Sequence, residues 1–358
     1  MKKYIFIPSL AYGGAEKVVS TLFKFDEINE NCNLLLLSRL CDYKVKDLKP
    51  LLMTPFVFLS MIFKRDYSII QCHLISPLLL SSILKFFNKS FELQAVHCFS
   101  YEGYLSRRGI YLKVLIRSML KFSQKLVDIH IFKSVDMLDD FKKTFGFIPD
   151  EYEIIHNPIN LARENTRSKK IKMKNLSNEK KHVAILGRIC RAKGSYDVFK
   201  LAKLCDGIFD FHIIGDGIDY PEITNIAKDY SSVHAYGRLE NPFEILSQCE
   251  IYISFSYNEG FPNALVESMA LGLYPIHSNC KTGPRELLGG SLDYDMPQQT
   301  KGGFLFPPGD ILSCNFGLNN YLDMSEDKKL KVLKHNKKIT MNFEAKKILS
   351  KYTRVLRV

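Results

Sequence analysis

Two glutamates, Glu259 and Glu267, stand eight positions apart in the stretch EGFPNALVE, around a Gly260-Phe261-Pro262 turn. The apolar run Ile251 to Phe255 precedes them and reads as a buried strand, while SMALGLYPIHS follows and reads as helix, turn and strand. The spacing predicts a loop carrying Glu259 and a helix carrying Glu267. In an open α/β sheet, ligands bind beyond the carboxyl ends of the strands, so both carboxylates can line one crevice. The amides near Asn263, Ala264 and Leu265 would open the helix without intrahelical partners, and a phosphate is a natural acceptor for them. One carboxylate can then hold sugar hydroxyls and the other a ribose. The plain alternative is that Glu259 ends a strand and Glu267 lies on a solvated helix face, where charged residues usually sit.

Four further constellations carry chemistry-bearing residues. In LGRICRAKGSYDVFKLAKL a strand ends at Gly187 and leads through Arg188 and Lys193-Gly194 into a helix. Two cations at such a strand end can neutralise a departing diphosphate, although a lone Arg and Lys also suit plain surface charge. In FHIIGDGIDYPEI, Gly215 and Gly217 flank Asp216 after an apolar strand. That is only the first half of a dinucleotide fingerprint, and a tight strand-to-helix turn explains it as well. In SLAYGGAEKVV, Gly13-Gly14 allows close backbone approach and the helix starting near Ala15 offers amides to an anion, or the pair is simply a glycine turn. In ELQAVHCFSYEGY a strand ends at His97, and His73 is a competing histidine at the previous strand end.

The elements that must position these residues repeat twice. KKYIFIP, NCNLLLLS, YSIIQCH, ELQAVH, DIHIFKS and YEIIHNP read as strands of one β/α series, and HVAILGR, FDFHIIG, SVHAYG, EIYISFS and LYPIHSN as those of a second. Each series suits a mostly parallel sheet. The break follows IIHNPIN, where Asn157-Pro158 disfavours a helix and a basic stretch from Arg163 to Lys181 begins, read as a solvated connector. A last helix, roughly Phe343 to Leu356, lies beyond the second series.

Composition bounds the function. With 358 residues, 46% hydrophobic and 25% charged, the chain has the length for two domains with separate cores. Nine cysteines form no CxxC pair and no metal-like cluster, which fits reduced thiols in the cytosol. The opening MKKYIFIPSLAYGG has too short an apolar run for a signal peptide and reads as a first strand. No segment reaches the roughly 18 uninterrupted apolar residues of a spanning helix; LLMTPFVFLSMIF at 51 to 63 reads as a buried or interfacial helix. The net charge of +12 points to anionic partners. In SRRGIYLKVLIRSMLKFSQKLVD, Lys113, Arg117, Lys121 and Lys125 recur every four residues, with Val114, Leu115, Met119, Leu120, Phe122 and Leu126 supplying apolar contacts. A basic amphipathic helix of this kind suits an anionic membrane surface, and an ordinary surface helix shows the same pattern. Nucleic acid is a poor partner, because neither an interleaved aromatic and basic motif nor zinc-finger spacing is present.

EGFPNALVESMALG resembles the E-x7-E motif of the large retaining glycosyltransferase family four, whose GT-B fold has two Rossmann-like α/β domains facing each other across a cleft. Arg188 and Lys193 match the basic pair of the family motif, Glu16 follows its pattern, and TGPRELL at 282 to 288 resembles members acting on envelope oligosaccharides. The resemblance covers nearly the whole chain, most strongly Gly187 to Leu288. It implies an acceptor-side domain over 1–160, a nucleotide-sugar domain over 161–342, and a helix over 343–358 returning to the first domain. The implied reaction moves a sugar from a nucleotide diphosphate sugar to an acceptor hydroxyl with retention. The leaving phosphate oxygen takes the acceptor proton on the same face; a covalent route through a carboxylate stays open.

On this resemblance Glu259 positions the donor sugar, Glu267 holds the ribose, and His97 lies close to the sugar. Arg188 and Lys193 carry the leaving group's charge. Gly13, Gly14, Gly187, Gly215, Gly260, Phe261, Pro262, Asn263, Ala264 and Leu265 line the donor. No metal or other cofactor is demanded. The donor reading favours a UDP-hexose or UDP-N-acetylhexosamine over GDP-mannose. The acceptor reading is a polyprenyl-diphosphate-linked or other glycan for lipopolysaccharide or capsule, extended at the cytoplasmic face of a membrane by a peripheral enzyme. A nucleotide-sugar epimerase or hydrolase on the same scaffold is the rival enzyme.

Overall fold

Short runs rich in Ile, Leu, Phe and Tyr, separated by helices, build two parallel sheets. A computed structural model describes residues 1–11, 13–43, 50–106, 108–159, 179–205, 207–239 and 241–358. Its contacts divide the chain into Met1–Pro158 with Ala345–Val358, and Ile159–Glu344.

The first unit runs β1 (Lys2–Ile7), α1 (Gly14–Leu22), α2 (Asp26–Asn31), β2 (Cys32–Leu36), β3 (Leu51–Leu52), α3 (Pro55–Lys64), β4 (Tyr67–His73), α4 (Ile75–Phe87), β5 (Glu92–His97), α5 (Tyr101–Leu105), α6 (Ile110–Gln124), β6 (Ile129–Phe132), α7 (Val135–Phe145) and β7 (Tyr152–Ile154). Its described sheet has the order β3-β2-β1-β4-β5-β6-β7, every pair parallel. The second unit runs β8 (Lys181–Leu186), a 3-10 turn at Arg191–Lys193, α8 (Asp197–Leu204), β9 (Phe209–Ile214), α9 (Tyr220–Ala227), β10 (Val233–Gly237), α10 (Phe243–Leu246), β11 (Ile251–Ser254), α11 (Asn263–Leu271), β12 (Tyr274–Ser278), α12 (Pro284–Leu288), β13 (Gln298–Gln299), β14 (Phe304–Phe306), α13 (Ile311–Asp323) and α14 (Glu326–Thr340). Its order is β10-β9-β8-β11-β12-β14-β13, parallel except for β13 against β14. The last helix, α15 (Ala345–Leu356), belongs to the first unit.

Each sheet is buried on both faces, as parallel sheets require. In the first unit one face packs Ile5, Ile7 and Leu34 with Val19 of α1 and Ile348, Tyr352 and Leu356 of α15. The other face packs Tyr4, Phe6 and Ile70 under Met61 of α3 and Leu78 and Leu84 of α4. The returning helix is thus part of that core, as the fold class expects. In the second unit Ile159 pairs with Glu344 in an isolated bridge.

Three short strands were not anticipated. Leu51–Leu52 falls in the run read as one helix from 51, but pairs with β2, and the helix starts only at Pro55. The Thr54-Pro55 step explains the correction: the Thr54 hydroxyl accepts the Val57 amide at 3.2 Å, and proline suits a first helical turn. β13 and β14, at two and three residues, are too short for alternation to register. The basic stretch from Arg163 to Lys174, and the boundary at 160, fall outside the described residues.

Candidate functional site

In the second unit the chain runs from β8 to β9 and β10 in one direction, then from β11 to β12 in the other. Strand order therefore reverses between β8 and β11, and the crevice beyond the carboxyl ends of such a pair is the usual ligand position of an open α/β sheet. Arg188 and Lys193 follow β8, and Glu259 follows β11.

The structure brings two of these together. Lys193 Nζ is bonded to Glu259 Oε1, and the Ser256 hydroxyl donates to the same oxygen at 2.7 Å. The Glu259 side chain is 12% exposed and that of Lys193 26%. Burial pushes the Glu259 carboxyl up, but the Lys193 charge and the Lys193 and Ser256 hydrogen bonds outweigh it and hold the carboxyl below its ordinary range. Backbone contacts fix the two loops: the Tyr257 amide donates to the Ala192 carbonyl at 3.0 Å, and the Tyr257 hydroxyl to Asp197 at 2.9 Å. Gly194, at φ +64°, lies so close to the Phe255 carbonyl that a side chain there would collide with it.

Neighbouring loops close on the same place. A Cβ on Gly215, which has φ +146°, would strike the Gly187 carbonyl oxygen, and the Ile189 amide donates to Asp216 at 2.9 Å. The loop after β12 reaches back, its Thr282 hydroxyl donating to the Glu259 carbonyl and Gly283 lying against Pro262. His277, on β12, is neutral: burial lowers it to about 4, with the nearby Glu259 charge opposing. Its Nδ1 donates to the Ser278 carbonyl at 2.8 Å, and its buried Nε2 has no partner among the described residues. Ser256, Thr282 and His277 were missed from sequence because no motif spacing joins them to Glu259.

Glu267 is 6% exposed, so the solvated-face reading fails for it; it stands at the middle of α11, among core residues. Phe261 and Leu265 are buried in the core, which leaves their main chain for any ligand. The Asn263 amide turns back to the Phe261 carbonyl at 2.9 Å, so Ala264 and Leu265 are the remaining first-turn donors. Gly260 and Pro262 shape the turn between Glu259 and α11, and Arg188 is exposed just past Gly187.

In the first unit the order reverses between β1 and β4. Gly13 and Gly14 follow β1 at the start of α1, and the Glu16 carboxylate folds back over Gly13. His97 ends β5, one strand away from the reversal. Its Nδ1 bonds the Tyr101 hydroxyl at 2.8 Å, its Nε2 bonds His130 at 3.1 Å, and its ring stacks on Phe132 at 4.3 Å. Burial, with the His130 and Lys133 charges, holds it well below the usual histidine range. Both ring nitrogens are thus occupied within the unit. His73 instead ends β4, at the reversal itself. It is fully buried, with Nε2 at 3.2 Å from Gln71 and Nδ1 lacking a partner among the described residues. Lys133, just past β6, is 1% exposed, bonded to Tyr352, and lowered by burial to about 8. Sequence reading passed over it because an isolated lysine after a strand carries no motif.

Among the described residues no group of three His, Cys, Asp or Glu side chains could hold a metal ion, and no helix is long and apolar enough to cross a membrane. None of the nine cysteines forms a disulfide.

Residues 180–316 match the family described as Glycosyl transferases group 1. An uncharacterized glycosyltransferase of Methanocaldococcus jannaschii is 27% identical over 248 residues, 66% of this chain but only 60% of that protein. The N-acetylgalactosamine-N,N'-diacetylbacillosaminyl-diphospho-undecaprenol 4-alpha-N-acetylgalactosaminyltransferase of Campylobacter jejuni is 23% identical over 308 residues, 80% of this chain and 82% of the relative. Among solved structures, Anabaena HepE in complex with UDP superposes with a TM-score of 0.80 at 15% identity, over 100% of both chains. The chain has the GT-B fold, and the matches support a glycosyltransferase.

Proposed function

We propose that this chain is a retaining glycosyltransferase that moves a hexose or N-acetylhexosamine from its UDP-sugar to a hydroxyl of a lipid-linked oligosaccharide in surface polysaccharide synthesis. The observation that carries the proposal is the partly buried Lys193–Glu259 pair at the strand reversal of the second unit. A UDP-bound structural neighbour and an undecaprenol-linked acceptor in the name of a relative support the choice of nucleotide and acceptor.

In the proposed reaction the diphosphate lies beside Arg188, Lys193 and the Ala264 and Leu265 amides, and the cations take up the charge that develops as the bond from the anomeric carbon to phosphate oxygen breaks. The acceptor oxygen forms its bond to that carbon on the same face, and its proton passes to the leaving phosphate oxygen. Lys193 exchanges Glu259 for phosphate, which releases the carboxylate to hold the donor sugar's hydroxyls. Glu267 binds the ribose. Gly187, Gly215 and Gly260 let the backbone approach the nucleotide, and Phe261 and Pro262 fix the turn. In the first unit Gly13 and Gly14 allow close backbone approach at the start of α1, and His97 props the neighbouring strand ends.

The test is release of UDP from a UDP-sugar panel with and without a polyprenyl-diphosphate-linked glycan, with the product anomer read by NMR. Acceptor-dependent release and an α-linked product from an α-linked donor are expected. Acceptor-independent turnover to free sugar or an epimer, or inversion at the anomeric carbon, overturns the proposal.

A further inference from the structure

The helices on one face of the first sheet show an inverted pattern. On α6 the residues turned inward include Ser123 and Gln124, both buried, with Gln124 donating to the Tyr101 hydroxyl at 2.9 Å. The residues turned outward are apolar: Tyr111 is 90% exposed, Leu115 66% and Phe122 59%. Val114, Leu115, Met119 and Phe122, expected from sequence to supply apolar contacts, are thus exposed, and Leu120 alone of the helix's hydrophobic residues is fully buried. A soluble helix buries its apolar stripe, so an outward one needs an apolar partner.

The pattern extends to the neighbours. α4 packs against both α3 and α6, and Phe56 and Phe63 of α3 and Phe86 of α4 are 80%, 80% and 66% exposed. None of the residues at 55–64, 75–87 and 110–124 is Asp or Glu, while Lys64, Lys113, Arg117 and Lys121 are basic. Lys113, Arg117 and Lys121 run along one flank of the outward apolar face of α6, at helical spacing. Exposed aromatic and aliphatic tips bordered by cations and free of acids match an anionic bilayer, whose interface takes rings and methyls while its headgroups meet lysine and arginine. A second copy of the chain is a poor occupant, because self-pairing of this face would oppose its cations to one another.

We infer that the α3, α4 and α6 face of the first unit is a docking surface for the anionic leaflet of a membrane. It seats the protein by partial insertion of the exposed aromatic side chains, without a spanning segment. The inference stands on this face alone and does not depend on the proposed reaction.

The test uses the full chain without nucleotide, sedimented with vesicles of pure phosphatidylcholine or of phosphatidylcholine mixed with phosphatidylglycerol. Binding is expected only to the anionic vesicles, and weakening with salt. Replacing Lys113, Arg117 and Lys121 together by Gln should lower the partition coefficient by on the order of a hundredfold, from about one kcal/mol per cation at the surface. Phe56→Ser with Phe63→Ser should lower it by about tenfold or more through lost insertion. Circular dichroism and UDP binding should be unchanged in both, which separates docking from folding and from the donor site. Absence of binding to anionic vesicles, indifference to both sets of changes, or a solution dimer that Phe56→Ser with Phe63→Ser splits into monomers overturns the inference.

Discussion

Glu259 and Lys193 are bonded to one another, so each is held where a charged substrate would displace its partner. Lys193→Ala is expected to weaken UDP binding by roughly ten- to a hundredfold, the worth of a charge-assisted hydrogen bond. Glu259→Gln should leave UDP binding within about a few-fold yet lower kcat by on the order of a hundredfold or more, since its proposed work is on the sugar. Equal losses in both quantities for both variants would contradict this division. The histidines sort differently. His97 has both ring nitrogens bonded and four aromatic rings around it, so His97→Ala should cost about 3 kcal/mol of stability, seen in denaturant unfolding. Glu259 and Lys193 were legible in the sequence because each sits at a strand end within a dense motif. Choosing between His97 and His73 was not, since the choice depends on which strands are neighbours at the reversal, and only pairing across the sheet reveals that.

At the scale of elements, the second-unit site is built by loops that touch through glycines. Gly215→Ala places a methyl on the Gly187 carbonyl in a strained backbone region, and is expected to destabilise the protein by at least about 2 kcal/mol and to abolish nucleotide binding. Gly272→Ala, at φ +85° but in open space at the end of α11, should cost only about 1 kcal/mol and leave binding intact. Matching losses in the two variants, by unfolding and titration, would show that loop contact is not what Gly215 provides. The returning α15 contributes Tyr352, fully buried, to the first-unit core and to Lys133. Long strands and amphipathic helices were readable from period alone. The short β3, β13 and β14 were not, because they are strands only by virtue of the neighbour they pair with, and the apolar outer face of α6 reads in sequence like an inner one.

At the scale of the whole molecule, five of the buried histidines set an acid limit. Burial holds His73 and His97 well below the usual range and lowers His130 to about 4, His212 to about 3 and His277 to about 4. The unfolded chain takes up these protons near a pH of about 6.5, before the folded one does. The stability associated with them is therefore complete above that pH and is lost as pH falls from 6.5 towards 4 and below. The urea midpoint should drop steeply through that window; a flat profile would contradict it. Above this, both sheets carry the same topological event, a reversal of strand order, and the second unit holds the Lys193–Glu259 pair that bears the functional claim. Calorimetric titration with UDP and GDP, on the native chain and on the Glu267→Ala and Arg188→Ala variants, tests that claim most directly. The account predicts that UDP binds more tightly than GDP and that both substitutions weaken it by about tenfold or more. Failure of either nucleotide to bind, or UDP binding untouched by both substitutions, would contradict a donor site between the ends of β8 and β11.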